Sequence, residues 1–377
     1  MMNKNFVLAV ATLVGAIVGL GLFGIPYTAS KAGFFVGTGY IVVLGAAMLL
    51  MHLIYGEVVE RTAGKHRLTG YVEKYLGKKY KRVLGVFIIF ALYTALLAYI
   101  IVGGKFLALL LPGIGTSFAW SIAFWCILSI GIWRGIRTIA KGELLMTGFL
   151  VLFILALFVW GARDISFENF SSFNAVNLFL PYGVVLFALS GIFAVPEIRE
   201  LLKIDGKRYR SVIIWGSVIP IALYVLFTIS VVGISGADTS QEALSGLAGN
   251  LGSAISGVGV IFGLLAIATS FLVLGSNLKH SFEYDWHIPG NISTVLTVLA
   301  PLLIFVAGVQ QFIEVISISG GVFGSLLLIF VLLVYRKALV RGDKKPGYAL
   351  RLPKLAIYGL IALFALGGIY EIIYLIM

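Results

Sequence analysis

Apolar stretches long enough to cross a lipid bilayer follow one another along the whole chain, and no other feature narrows its folding options as far. A helix needs about 20 mostly apolar residues to span the hydrocarbon core. Eleven such stretches can be drawn, at about 6–30, 34–59, 83–111, 118–133, 140–161, 179–198, 211–233, 252–278, 291–309, 313–335 and 355–376. Inside hydrocarbon a backbone N–H or C=O finds no water, so each stretch must pair its polar groups internally as a helix. The expected fold class is therefore all-α integral membrane. The balance of 60% hydrophobic and 12% charged residues agrees, because soluble domains have roughly 45–50% and about 25%.

All but three of the 28 Lys and Arg fall in alternate loops, at Lys4, 61–82, 134–141, 199–210, Lys279 and 336–354. Cytoplasmic loops retain such residues. This places the N-terminus in the cytoplasm and, after eleven crossings, the C-terminus outside, in a cell inner or plasma membrane. The exceptions are Lys31, Lys105 and Arg163. The formal charge of +12 thus reflects topology and contact with anionic membrane lipid, and nucleic acid is not an expected partner. The lone Cys126 excludes an internal disulfide. Lys4 ahead of an apolar run also fits a signal peptide, a reading that an internal repeat argues against.

The first stretch is interrupted by Gly19, Gly21, Gly24 and Pro26, and its hexamer "GLFGIP" (21–26) returns 170 residues later as "GIFAVP" (191–196). The copies fall in spans one and six, which cross in opposite directions, so the repeat is inverted. A signal peptide has no reason to match an internal helix. Corresponding glycine-interrupted spans in two halves point to a secondary transporter with its substrate between discontinuous helices. Unwinding frees backbone groups that cost several kcal/mol each unless a ligand pairs with them. Glycine permits the dihedrals and the close approach, and Pro26 and Pro196 are expected to open the second segment of each helix. The free N–H groups there suit a carboxylate.

These residues resemble the amino acid/polyamine/organocation superfamily. "VGLGLFGIP" resembles the signature of its first helix, "FALSGIFAVPE" (187–197) its sixth, and "ATSFLVLG" (268–275) the eighth helix of the aromatic and hydroxy amino acid permease branch. The resemblance implies a LeuT-type inverted five-plus-five helix fold with discontinuous helices one and six. The whole chain, 1–377, would be one transport domain with halves at about 6–161 and 179–335 and an added eleventh helix at 355–376. It implies that N–H groups around Gly19, Leu20 and Gly21 receive a substrate carboxylate. Carbonyls near Ile17, Phe187, Ala188 and Ser190 would receive the α-ammonium group, with Tyr99 of span three beside the carboxylate. It also implies a sodium site at Gly15, Val18, Ala266, Thr269 and Ser270, a set of oxygen ligands suited to a hard cation. No Lys occurs between Leu144 and Trp160, where some proton-coupled relatives carry one, which favours Na+. The aromatic branch is proton-driven, so H+ is the alternative coupling ion.

Ionisable residues in spans are functional candidates. Glu57, Glu143, Glu197 and Lys105 lie near span ends and suit topological or gating roles, whereas Glu314 and Glu371 could relay a proton. Tyr93 is a second aromatic candidate in span three, and Phe187 and Phe193 could close over a substrate. In the inner loop, Leu68, Tyr71, Val72, Tyr75 and Leu76 follow helical spacing and predict an interfacial amphipathic helix. Thr239 and Glu242 have capping-box spacing for a short outer helix.

The expected function is a secondary active amino-acid permease for neutral, hydrophobic or aromatic substrates, an ion-coupled symporter working by alternating access. The alternative is an amino-acid sensor on the same fold that does not transport. No enzyme is expected: there is no HExxH motif and no Cys nucleophile with a plausible base. No cofactor is expected beyond the coupling ion.

Overall fold

The first apolar run does not form one helix. In this computed structural model, which describes residues 4–135, 139–202, 206–251, 253–284 and 286–376, it gives α1 (Lys4–Ile17) and α2 (Gly21–Ala32). Their axes differ by 55° across residues 18–20. Gly33, at φ 115°, then turns the chain into α3 (Phe34–Arg61). A short α4 (Leu68–Leu76) precedes α5 (Lys78–Leu110), α6 (Ser117–Arg134) and α7 (Ile139–Gly161). The sixth run is broken as well, into α8 (Pro181–Ala188) and α9 (Ala194–Leu202). There follow α10 (Gly206–Ser235), α11 (Leu244–Leu251), α12 (Ser253–Tyr284) and α13 (Gly290–Val306). The tenth run is α14 (Phe312–Ser317), a π-helical turn at Ile318–Gly324, and α15 (Ser325–Arg341), and α16 (Lys354–Ile376) is the eleventh.

Among the described residues, seven helices are long and apolar enough to cross a membrane, or eight with the bent α1–α2 pair taken as one span. The three other expected spans are shorter pieces: the apolar part of α7, α13, and the broken α8–α9 pair.

Two polar networks mark opposite faces of the bundle. On the basic face, Glu57 is buried and accepts from Arg61 at 2.7 Å and from the Leu350 N–H at 2.6 Å. Glu60 joins Arg199 of α9 to the Gly347 N–H, and Asp343 joins Lys74 of α4 to the Ala63 N–H. The Lys74 ammonium beside Asp343, with that N–H, holds the carboxyl below its usual range. On the opposite face the Lys31 ammonium reaches the Ala237 carbonyl at 3.3 Å, and Lys105 pairs with the buried Glu242 at 3.3 Å.

Three local expectations need correction. Pro26 does not start a helix; it is the sixth residue of α2, which opens at Gly21 with short-range bonds from Leu22 N–H to Gly19 O and from Phe23 N–H to Leu20 O. The glycines make the turn, and the proline then withholds the single bond its own N–H would give the Leu22 carbonyl. Pro196 is the third residue of α9, within the first turn, where a donor has no intrahelical acceptor. The α4 apolar face is not turned to lipid: Leu68, Tyr71, Val72 and Tyr75 are buried, α4 packs on α5 and α15, and the Tyr75 hydroxyl meets Thr62 at 2.9 Å. The capping box does not form, because α11 begins only at Leu244. Thr239 bonds back to the Gly236 carbonyl and Glu242 is drawn to Lys105.

Candidate functional site: two facing helix breaks

The two breaks lie against each other. A Cβ placed on Gly21 would come 2.6 Å from the Ala188 Cβ, and one on Gly191 would come 3.0 Å from the Ile17 Cδ1. Each motif glycine therefore seats the other pair's half-helix, a separation only a residue without a side chain allows. Gly19 differs, since a Cβ there meets only the Tyr99 hydroxyl, at 3.8 Å.

Among the described residues, the N–H groups of Gly19, Leu20 and Gly21 make no backbone–backbone hydrogen bond, and neither do those of Gly191, Ile192 and Phe193. In a low-dielectric interior such groups call for partners. One partner comes from α10: the fully buried Tyr224 hydroxyl lies 2.7 Å from the Ile17 carbonyl oxygen and 2.9 Å from that of Ala188, and is also hydrogen-bonded to the Gly19 backbone. Two carbonyls expected to face a substrate ammonium group thus already share one phenol.

A cavity of about 150 Å³ opens at the breaks. Ile17, Gly19, Leu20, Gly21, Tyr99, Phe187, Ala188 and Ser190 all line it. Its wall is apolar on the α5 side, with Ile88, Leu92 and Ala95, and the π-helical turn contributes Ser319 and Gly320. Among the described residues no Asp, Glu, Lys, Arg or His side chain lines it. A charged ligand group there would have backbone groups, hydroxyls and the ends of half-helices as partners.

Of the expected ion ligands, Gly15 and Ser270 line this cavity, whereas Val18, Ala266 and Thr269 do not. Val18 and Ala266 are buried, and the Thr269 hydroxyl donates to the Ala266 carbonyl at 2.9 Å. That bond uses the hydroxyl hydrogen and leaves the oxygen's acceptor capacity.

The cavity shares Ile88, Leu92, Phe193 and Leu274 with a vestibule of about 460 Å³ that also meets Lys65, Arg67 and Glu197 on the basic face. Phe193, 41% exposed, stands at the junction. Beyond the break along α2, Phe23 packs edge-on against Phe106 and Phe227 with centroids 5.2 and 6.2 Å away, and all three rings are fully buried. Each such pair contributes about 0.5–1.5 kcal/mol beyond burial. The site is thus open toward the basic face and plugged toward the other. Tyr93 is not in the cavity lining; its hydroxyl donates to the Leu296 carbonyl at 3.0 Å.

Sequence reasoning missed Tyr224 and the π-helical turn. Tyr224 sits in a span without a motif, and a tyrosine in an apolar run carries no positional signal. The turn had one, the paired Gly320 and Gly321, and π-bulges often mark functional sites.

Membrane-length helices with two of them broken at facing points around a small cavity define a LeuT-type transporter fold. The chain matches the solved structure of MhsT in complex with L-phenylalanine with a TM-score of 0.63, covering 99% of this chain and 98% of that one at 18% identity, which establishes the shared fold. The chain belongs to the tryptophan/tyrosine permease family, whose model matches residues 2–370. Relatives include the tyrosine-specific transport system 1 of Haemophilus influenzae, 27% identical and aligned over 85% of each chain. The tryptophan-specific transport protein of Shigella flexneri is 26% identical over 78% of this chain and 76% of its own. The chain is accordingly a multi-pass membrane permease and not an enzyme.

Proposed function

We propose that this permease carries aromatic and other neutral, hydrophobic amino acids by ion-coupled symport with alternating access. The observation that carries the reading is the cavity itself: backbone donors of the first break that have no backbone acceptor, carbonyls from both breaks, and an apolar α5 wall, with no ionisable side chain among the described lining residues. A zwitterion with an apolar side chain matches that set. The carboxylate goes to the N–H groups of Gly19, Leu20 and Gly21, where the α2 N-terminus adds positive potential. The ammonium group goes to the carbonyls near Ile17, Phe187, Ala188 and Ser190, and Tyr99 stands beside the carboxylate. The names of the tyrosine and tryptophan transporters among its relatives support an aromatic substrate.

The coupling ion in this reading is Na+, bound by Gly15, Val18, Ala266, Thr269 and Ser270, and H+ is the alternative. The reading treats 1–377 as one domain of two inverted halves plus α16, with the basic face and the N-terminus in the cytoplasm and the C-terminus outside, in the inner or plasma membrane.

Uptake of labelled L-tryptophan, L-tyrosine, L-phenylalanine and L-glutamine into proteoliposomes, under a Na+ gradient and separately under a pH gradient, tests this. Accumulation of the aromatic substrates under the Na+ gradient, reduced in Thr269→Ala, is the expected result. No uptake or exchange under either gradient sinks the reading; accumulation under the pH gradient alone replaces Na+ by H+.

A further inference from the structure

The eleventh span lies outside the five-plus-five repeat, yet it places one carboxyl group inside the bundle. Glu371 of α16 is 1% exposed. Its carboxylate accepts the Gly183 N–H of α8 at 3.0 Å, and the Ser317 hydroxyl of α14 lies 3.0 Å from both of its oxygens. Room for it is made on two elements by glycine: a Cβ on Gly183 would lie 2.6 Å from the Ser317 Oγ, and one on Gly321 would lie 2.8 Å from the Glu371 Cδ.

Glu371 also lines a cavity of about 190 Å³ on the face opposite the basic loops, with Lys31, Asn177, Gln241 and Glu314. The titratable groups that face it are Tyr40 of α3, Tyr182 of α8, Tyr370 and Tyr374 of its own helix, and across the cavity Tyr27 and Lys31 of α2 and Glu314 of α14. Lys31 is the single cation in that set, and its ammonium is engaged with the Ala237 carbonyl and the Tyr27 ring. Among the described residues Glu371 has no ion pair within 4.0 Å.

A buried carboxylate without a cation carries uncompensated charge, which a bound proton removes. The cavity gives protons a route from that face. We infer that Glu371 is a proton-binding site whose occupancy sets how firmly α16 holds α8 and the π-helical turn. The ionised group accepts from both Gly183 and Ser317. The neutral acid has one hydroxyl to donate and less acceptor strength, so a proton loosens the hold on two elements that line the substrate cavity through Phe187, Ser319 and Gly320. The transport consequence rests on the proposed permease function; the proton site does not.

Two measurements separate these. Infrared difference spectra of the reconstituted protein, stepped between about pH 5 and about 9, the range in which buried carboxyl groups titrate, should show a neutral carboxyl C=O band that disappears in Glu371→Gln. In Ser317→Ala, which loses a donor to the ionised form, its midpoint should rise by roughly one pH unit. A band unchanged in both variants overturns the site, even if amino acids are transported. In L-phenylalanine counterflow, the dependence on pH at the face of this cavity should flatten in Glu371→Gln. A wild-type pH profile in that variant overturns the coupling, and absence of counterflow in the unmodified protein with the band intact overturns only the permease reading.

Discussion

The Tyr224 hydroxyl lies 2.7 Å from the Ile17 carbonyl oxygen, where the first helix is interrupted. The same hydroxyl is 2.9 Å from the Ala188 carbonyl, where the second one is. One side chain from a third helix therefore supplies a partner to both breaks. A phenol has one hydrogen to give, so it donates fully to only one of the two carbonyls at any moment or is shared between them, and the other calls for a further donor.

Tyr224→Phe removes that partner and leaves buried carbonyls unpaired, which costs about 1–3 kcal/mol. The unliganded protein should melt at a lower temperature, and the stabilisation by L-phenylalanine should increase relative to the unmodified protein, because the ammonium group then meets no competitor. Thermal unfolding in detergent with and without L-phenylalanine measures both. An unliganded melting temperature equal to that of the unmodified protein would remove Tyr224 from the account.

Gly19, Gly21 and Gly191 should separate by function. Gly21→Ala and Gly191→Ala push a methyl group into Ala188 and Ile17, and overpacking of this kind costs about 1–3 kcal/mol. Gly19→Ala points into the cavity, with only the Tyr99 hydroxyl nearby, so it should leave the melting temperature nearly unchanged and weaken L-phenylalanine binding. Equal destabilisation by all three would mean that Gly19 is a packing glycine too.

Phe193 stands between cavity and vestibule. In a Cys126→Ser background, Phe193→Cys should react with a membrane-impermeant thiol reagent applied to the basic face, and saturating L-phenylalanine should slow the reaction. Labelling only from the opposite face would contradict the direction in which the site opens.

The loop between α15 and α16 is tied to α4 by Asp343. With its carboxyl held below the ordinary value of 3.8 by Lys74 and the Ala63 N–H, the group contributes its stability fully above that value. The contribution is lost as pH falls through the depressed one. Exchange of the Ala63 amide hydrogen should therefore stay slow from neutral pH down to about pH 5, where an unperturbed Asp is still ionised, and be faster at neutral pH in Asp343→Asn. Equal protection in the variant would show that the tether does not hold the loop.

Much of this arrangement was legible in the sequence, for physical reasons that differ by element. Span positions were readable because an uninterrupted apolar stretch of about 20 residues has the length of a membrane-crossing helix, and the breaks because glycine and proline there have few other uses. Seven of the eight expected contact residues share one cavity because the motifs fix where both helices open, and Tyr99 joins them from α5. Tyr224 and Glu371 were not legible as partners, since their roles depend on contacts across 207 and 188 residues of chain. Pro26 was misplaced because the turn belongs to the glycines before it. The α4 helix was misread because an apolar stripe does not say whether lipid or protein will cover it.

In the proposed binding mode, backbone groups at the two breaks take the two charges of an amino acid. Calorimetry on the purified protein with L-phenylalanine, L-phenylalaninamide and N-acetyl-L-phenylalanine tests it most directly, because the derivatives remove the carboxylate and the ammonium charge one at a time. Charged hydrogen bonds contribute about 1.5–3 kcal/mol each, so each derivative should bind roughly 10- to 150-fold more weakly than the amino acid. Affinities within about twofold of L-phenylalanine for both derivatives would contradict the account.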